Sequence, residues 1–134
     1  MKCLVVDDEP AARALLEHYV SPLFDCVGAG NGREAVEAVR SALAEQDPFD
    51  LICLDIMMPV MDGLQALRAI RDLEEAHDVL EGDRVKVVMT TALRDAKCVL
   101  SAFRLGCQAF VVKPVEKGDL WAEIDNFGLL ASQK

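Results

Sequence analysis

Five short apolar runs recur along the chain, and each stops at polar or turn-forming residues. Cys3 to Val6 ends at Asp7-Asp8, Phe24 to Val27 at Gly28, Leu51 to Leu54 at Asp55, Val85 to Met89 at Thr90-Thr91, and Ala109 to Val112 at Lys113-Pro114. The runs are continuous rather than alternating, which is the pattern of strands buried on both faces of a parallel sheet. Segments of helical period lie between them. Pro10 suits a first helical turn, Ala12, Leu15, Leu16 and Tyr19 then share a face, and Pro22 stops the helix. Asn31 with Glu34 three residues on predicts a capping box ahead of Ala35, Val39 and Leu43. A third helix begins near Gly63 with Leu64, Leu67, Ile70 and Leu73 inward. Beyond it, Glu74, Glu75, Asp78, Glu81 and Asp83 predict either an extended helix or a projecting acidic loop with a solvated surface. Asp95 caps a fourth helix carrying Val99 and Phe103, with Gly106 just past its end. A fifth holds Leu120, Ile124 and Phe127, and Glu116 at its start is a poor N-cap.

Five βα units with right-handed crossovers predict an α/β fold, a doubly wound (βα)5 three-layer sandwich on a parallel five-stranded sheet. Residues 1–130 are expected to form one domain with no output domain attached, and 131–134 a loose tail. Composition agrees with this: 134 residues, 52% of them hydrophobic, are enough for a full core without disulfides or structural metal. The balance of 14 Lys+Arg against 23 Asp+Glu gives a net charge of −9 and argues against nucleic acid, which is bound mainly by basic residues. Cys3, Cys26, Cys53, Cys98 and Cys107 form an odd set without a C-x-x-C pair, as expected of reduced packed thiols in a cytoplasmic protein. The chain offers no signal-like or membrane-length apolar stretch, so no membrane role is expected.

Sites in open α/β sheets form beyond the carboxyl ends of the strands. Asp7, Asp8, Asp55, Thr90-Thr91-Ala92 and Lys113 all fall there. Carboxylates about 5 Å apart repel by about 3 kcal/mol per pair at an effective dielectric of 20, which a divalent cation relieves. An all-oxygen donor set favours Mg2+, with Mn2+ as the alternative. Lys113 can pair with Asp55 at rest and with a phosphoryl oxygen later, while the Thr91 hydroxyl and the Ala92 N–H bind another oxygen of that group. The set suits phosphoryl transfer onto a carboxylate.

Val5-Val6-Asp7-Asp8, Leu54-Asp55-Ile56-Met57-Met58-Pro59 with Met61-Asp62-Gly63, Met89-Thr90-Thr91-Ala92 and Val112-Lys113-Pro114 together resemble the receiver domains of two-component response regulators, from Lys2 to about Phe127. The resemblance implies the flavodoxin-like strand order 2-1-3-4-5. It implies that Asp55 accepts a phosphoryl group from a phosphohistidine on a sensor kinase. Asp8 and Asp55 would ligate Mg2+, with the Met57 carbonyl as a third ligand and Asp7 acting through water. It makes Thr91 the switch hydroxyl, Phe110 the aromatic that turns inward, and Lys113-Pro114 a cis peptide. A separate effector protein would read the surface around the fourth helix, fifth strand and fifth helix, including Phe110 and Trp121. Passage of the phosphoryl group onward to a histidine phosphotransfer protein is the alternative within the family.

Residue-level expectations accompany this. The resemblance implies that the residues two past Asp55 and two past Thr91 line the approach of an attacking water; here they are Met57 and Leu93, which cannot hold one, so self-dephosphorylation should be slow. Ala11, Ala14 and His18 form a low patch where a kinase helix could lie. Met57, Met58 and Met61 are expected to pack locally, His18 and His77 to be solvated, and Trp121 either to flank the core or to meet a partner. An aspartyl-phosphate hydrolase of the haloacid-dehalogenase type would need an aspartate where Met57 stands. No separate substrate turnover, and hence no enzyme in that sense, is expected.

Overall fold

In the computed structural model, which describes residues 1–92 and 96–130, each apolar run becomes a strand. The elements are β1 (Lys2–Val6), α1 (Pro10–Val20), β2 (Asp25–Ala29), α2 (Gly32–Ala44), β3 (Leu51–Asp55), α3 (Gly63–Ala76), β4 (Lys86–Thr91), α4 (Ala96–Arg104), β5 (Ala109–Val112) and α5 (Lys117–Asn126). All pairings are parallel, in the order β2-β1-β3-β4-β5. Leu16 and Val20 of α1 and Leu120 and Ile124 of α5 pack on one face of the sheet, against Cys3, Val5, Cys53, Val88 and Val111. Residues of α2, α3 and α4 cover the other face, against Leu4, Val6, Ile52, Leu54, Val87 and Met89.

Burial on both faces holds for β1, β3 and β4, whereas the edge strands present Val27 and Phe110 to solvent. An edge strand has one neighbour and partial cover, so an apolar run there does not guarantee burial. The β2 run is also shifted, starting at Asp25 rather than Phe24 and ending at Ala29.

Helix starts follow local chemistry. Asn31 caps α2 by accepting from the Glu34 N–H, while the Glu34 carboxylate reaches Gly30 N rather than Asn31 N. Asp62 and Gln65 form a complete capping box on α3, a D-x-x-Q signal that the sequence reading passed over. A Cβ on Gly63 would lie 2.1 Å from the Asp55 carbonyl oxygen, so only glycine lets α3 start this close to the end of β3. Gly106, at φ +99°, ends α4 in the left-handed region. Glu116 caps α5 without a side-chain hydrogen bond, as its residue type predicts. Asp95 lies outside the described residues, as does the tail 131–134.

Three expectations about faces need correction. Leu15 is 44% exposed, because Leu16 and Val20 carry the inward face of α1. Phe103 is 43% exposed and packs edge-to-face on Phe110 rather than into the core. Met57 is 63% exposed, so of the three methionines only Met58 and Met61 pack inward.

The acidic segment divides. Helix α3 ends at Ala76, and a 3-10 turn spans Glu81–Asp83. Glu75, Asp78, Glu81 and Asp83 are exposed as expected, but Glu74 is buried. Its carboxylate pairs with Arg71 at 2.6 Å and accepts the Val85 N–H at 2.8 Å. Arg71 in turn donates to the Gly106 carbonyl and Gln108, joining α3, β4 and the start of β5 at the edge of the sheet away from the strand carboxyl ends. Trp121 flanks the core and donates to the Tyr19 carbonyl at 2.8 Å, tying α5 to α1. His18 and His77 are exposed. The five cysteines are free thiols, and burial pushes Cys107 up to about 11. No described helix is long and apolar enough to cross a membrane.

Candidate functional site

The carboxyl ends of β1, β3, β4 and β5 bring the expected residues to one edge. Val6 is level with Leu54 and Asp55 with Thr90, so Asp7, following Val6, comes level with Asp55. Asp7, Asp8 and Asp55 each place a carboxylate oxygen within 4.8 Å of the others. Asp7 and Asp55 are buried and Asp8 is exposed, so the cluster has a dry floor and a wet rim.

Lys113 spans the floor. Its Nζ donates to Asp7 Oδ2 at 2.7 Å and to Asp55 Oδ2 at 3.1 Å. The sequence suggested pairing with Asp55 at rest; the ammonium serves both carboxylates and sits closer to Asp7. Local bonds hold Asp7 in place: its Oδ1 accepts the Glu9 N–H at 2.9 Å, and its carbonyl accepts from Arg13 at 2.9 Å. Burial raises Asp55 above the usual carboxylate range. Lys113 pulls it down by charge and hydrogen bond without cancelling the burial, and Asp7 and Asp8 push it further up. Burial alone would depress Lys113, but its bonds and charge pairing with Asp7 and Asp55 leave it raised.

Thr91 is buried at the end of β4, Ala92 follows it exposed, and the Lys113 N–H donates to the Thr91 carbonyl at 2.8 Å. The Lys113-Pro114 peptide is cis. Phe110 is 38% exposed on the outer side of β5, its ring 6.1 Å from that of Phe103. Leu93 lies outside the described residues. Thr90 is fully buried, and its hydroxyl has no hydrogen-bond partner among the described residues. Thr90 counts among the strand-end residues of the sequence, but the resemblance gives the switch role to Thr91, one residue on, and alternation along β4 gives the two threonines opposite faces.

The donor set fits a hard divalent cation: it is all oxygen, close enough for one ion to touch several members, and open at Asp8. No backbone N–H among the described residues donates to the Met57 carbonyl, which leaves that oxygen available as well.

The family model for the response regulator receiver domain matches residues 3–125. Chemotaxis protein CheY of Bacillus subtilis is 32% identical over 117 residues, 86% of this chain and 87% of that protein. A probable transcriptional regulator ycf27 of Porphyridium aerugineum is 34% identical over 124 residues, 92% of this chain, and this chain spans 46% of that regulator's length. Among solved structures, the CheX-CheY-BeF3-Mg complex from Borrelia burgdorferi is similar at a TM-score of 0.78 and 26% identity, covering 95% of this chain and 89% of that one. The receiver domain of the histidine kinase CKI1 from Arabidopsis thaliana, complexed with Mg2+ and BeF3, reaches 0.80 at 25% identity over 93% of this chain and 89% of that one. The strand order, the converging strand-end residues and these likenesses agree, and the chain belongs to the response regulator receiver domains.

Proposed function

We propose that Asp55 accepts a phosphoryl group from a phosphohistidine on a sensor kinase in a Mg2+-dependent reaction, and that the charged form signals through a protein interface. The observation that carries this reading is the Lys113 bridge: one ammonium held between Asp7 and Asp55, beside a carboxylate triad within reach of one cation. Asp55 Oδ2 is occupied by Lys113, which leaves Oδ1 to attack phosphorus. The phosphorus–nitrogen bond to the donor imidazole breaks, and its electron pair stays on the histidine nitrogen.

Asp8, Asp55 and the Met57 carbonyl would hold Mg2+, with Asp7 supporting it through water. The bound cation would neutralise phosphoryl charge as it develops. Lys113, freed from Asp55 Oδ2, pairs with a phosphoryl oxygen, and the Thr91 hydroxyl and Ala92 N–H take another. Thr91 and Phe110 then couple the site to the α4–β5–α5 face, where Phe110 and Phe103 already stand exposed. That face is the surface for a separate effector protein.

Donor docking is supported next to the site. A cavity of about 390 Å3 lies between α1 and the loop after β5, lined by Ala12, Leu15, Leu16, Pro114 and Val115, with Asp7 and Lys113 at its floor. The exposed Ala11, Ala14 and His18 extend the same helix surface. With an exposed thioether at Met57, two residues past Asp55, in place of a group that could hold a water, slow loss of the phosphoryl group is expected.

The test is labelling with acetyl phosphate and Mg2+. Wild type should take up one phosphoryl group, and Asp55→Ala none. Label that persists in the variant, or is absent from wild type, contradicts the reading.

A further inference from the structure

The edge of the sheet away from the strand carboxyl ends carries a cavity of about 280 Å3, lined by Arg71, Arg84 and Arg104, with Glu81 as the one carboxylate among its lining residues. Three separate elements deliver the guanidiniums. Arg71 stands on α3, Arg84 follows the 3-10 turn Glu81–Asp83, and Arg104 is the last residue of α4.

The three arginines differ in what already holds them. Arg71 is fixed by its bonds to Glu74, the Gly106 carbonyl and Gln108. Arg84 uses its Nε on the Val79 carbonyl at 3.4 Å, and Arg104 makes no hydrogen bond or ion pair, so the terminal nitrogens of both lack acceptors among the described residues. In a chain with 23 Asp+Glu against 14 Lys+Arg, carboxylates are plentiful, and Arg40 finds one in Glu37. Arg84 and Arg104 instead share a cavity. With Arg71 neutralised by Glu74, they leave it one positive charge in excess over Glu81, in a molecule of net charge −9.

Guanidinium forks match phosphate oxygens bidentately and hold them by charge-assisted hydrogen bonds. Ligand pockets begin at roughly 300 Å3, so a cavity of this size admits only a small molecule. We propose that it binds a small phosphate-bearing anion, free phosphate or a low-mass phosphate ester, between Arg84 and Arg104, with Arg71 as a fixed third charge. The site differs from the Asp55 cluster in place and in sign: the strand-end carboxylates suit a cation, and this cavity takes an anion without Mg2+.

Wild type, Arg104→Gln, Arg84→Gln and Glu81→Gln are titrated without Mg2+ with inorganic phosphate and, separately, with glycerol 3-phosphate, at an ionic strength held constant with NaCl, and followed by NMR of backbone amides and arginine Nε–H groups. Wild type should show saturable changes at Leu105, Gly106, Arg84 and Arg104, and the tighter of the two probes identifies the source of the phosphate. Each arginine variant should weaken binding roughly fivefold, and Glu81→Gln, which removes the opposing carboxylate, should tighten it about twofold. Arg104 is exposed and unbonded, so Arg104→Gln should melt like wild type and carries the test even if Arg84→Gln, which loses its bond to Val79, fails to fold. Changes that never saturate, that NaCl alone reproduces, or that fall at Asp7, Asp8 and Asp55 instead overturn the proposal, as does wild-type affinity in Arg104→Gln.

Discussion

A single ammonium decides the electrostatics of the strand-end cluster. Lys113 is raised because Asp7 and Asp55 together outweigh its desolvation, while Asp55 stays raised because burial outweighs Lys113. The two shifts act at opposite ends of the pH scale. Asp55 takes up its proton at a higher pH than an ordinary aspartate, and a protonated carboxyl is no nucleophile. The rate of phosphorylation by acetyl phosphate should therefore fall on acidification while ordinary carboxylates are still ionised; a rate flat down to the usual carboxylate range contradicts this. The folded-state pKa of Lys113 exceeds its unfolded value, so its pairing stabilises the fold fully below the unfolded pKa and is lost as pH rises through the folded one. Alkaline melting of wild type compared with Lys113→Met reads that loss. A second residue works against its own backbone. Val60 holds φ +71°, a region that penalises a β-branched side chain, and its side chain is 76% exposed. Val60→Gly should raise stability by about 1 kcal/mol in chemical denaturation, and an unchanged or lower midpoint contradicts the strain.

Among the elements, the strands and the site edge were the most legible in the sequence. Apolar runs bounded by Asp, Thr and Lys mark both the strand and the place where it stops, so the candidate residues follow from the fold without any contact being known. Helix faces were less legible, because period alone does not say where a stripe is centred. Leu15 and Leu16 are equally apolar, and only packing on the sheet selects Leu16. Glu74 was illegible for a different reason. Nothing in an acidic run tells which member will face Arg71 and the unpaired Val85 N–H, since that N–H becomes available only when β4 begins where it does. Breaking that joint leaves a guanidinium and an amide without their acceptor. Glu74→Ala should cost about 3 kcal/mol in denaturant unfolding while Asp55 is still labelled normally at temperatures where the variant is folded. A loss under 1 kcal/mol would show the joint to be dispensable.

For the whole molecule, the charge of −9 separates into a solvated surface and a small set with work to do. Three of the carboxylates are pressed together at the strand ends and one, on α3, is locked against the start of β4. Binding of Mg2+ to the first group should stabilise the folded protein by about 1.4 kcal/mol at ten times its dissociation constant. Thermal melts with and without Mg2+ should show that gain in wild type and lose it in Asp8→Ala; an equal gain in both places the cation elsewhere. Fold and site converge on one assignment, the chemical identity of the acceptor. Borohydride reduction of protein charged with acetyl phosphate, followed by peptide mass spectrometry, converts an aspartyl phosphate to homoserine and maps it. The account predicts homoserine at position 55 alone, only when both Mg2+ and the donor were present; homoserine at Asp7 or Asp8, or none at all, contradicts it.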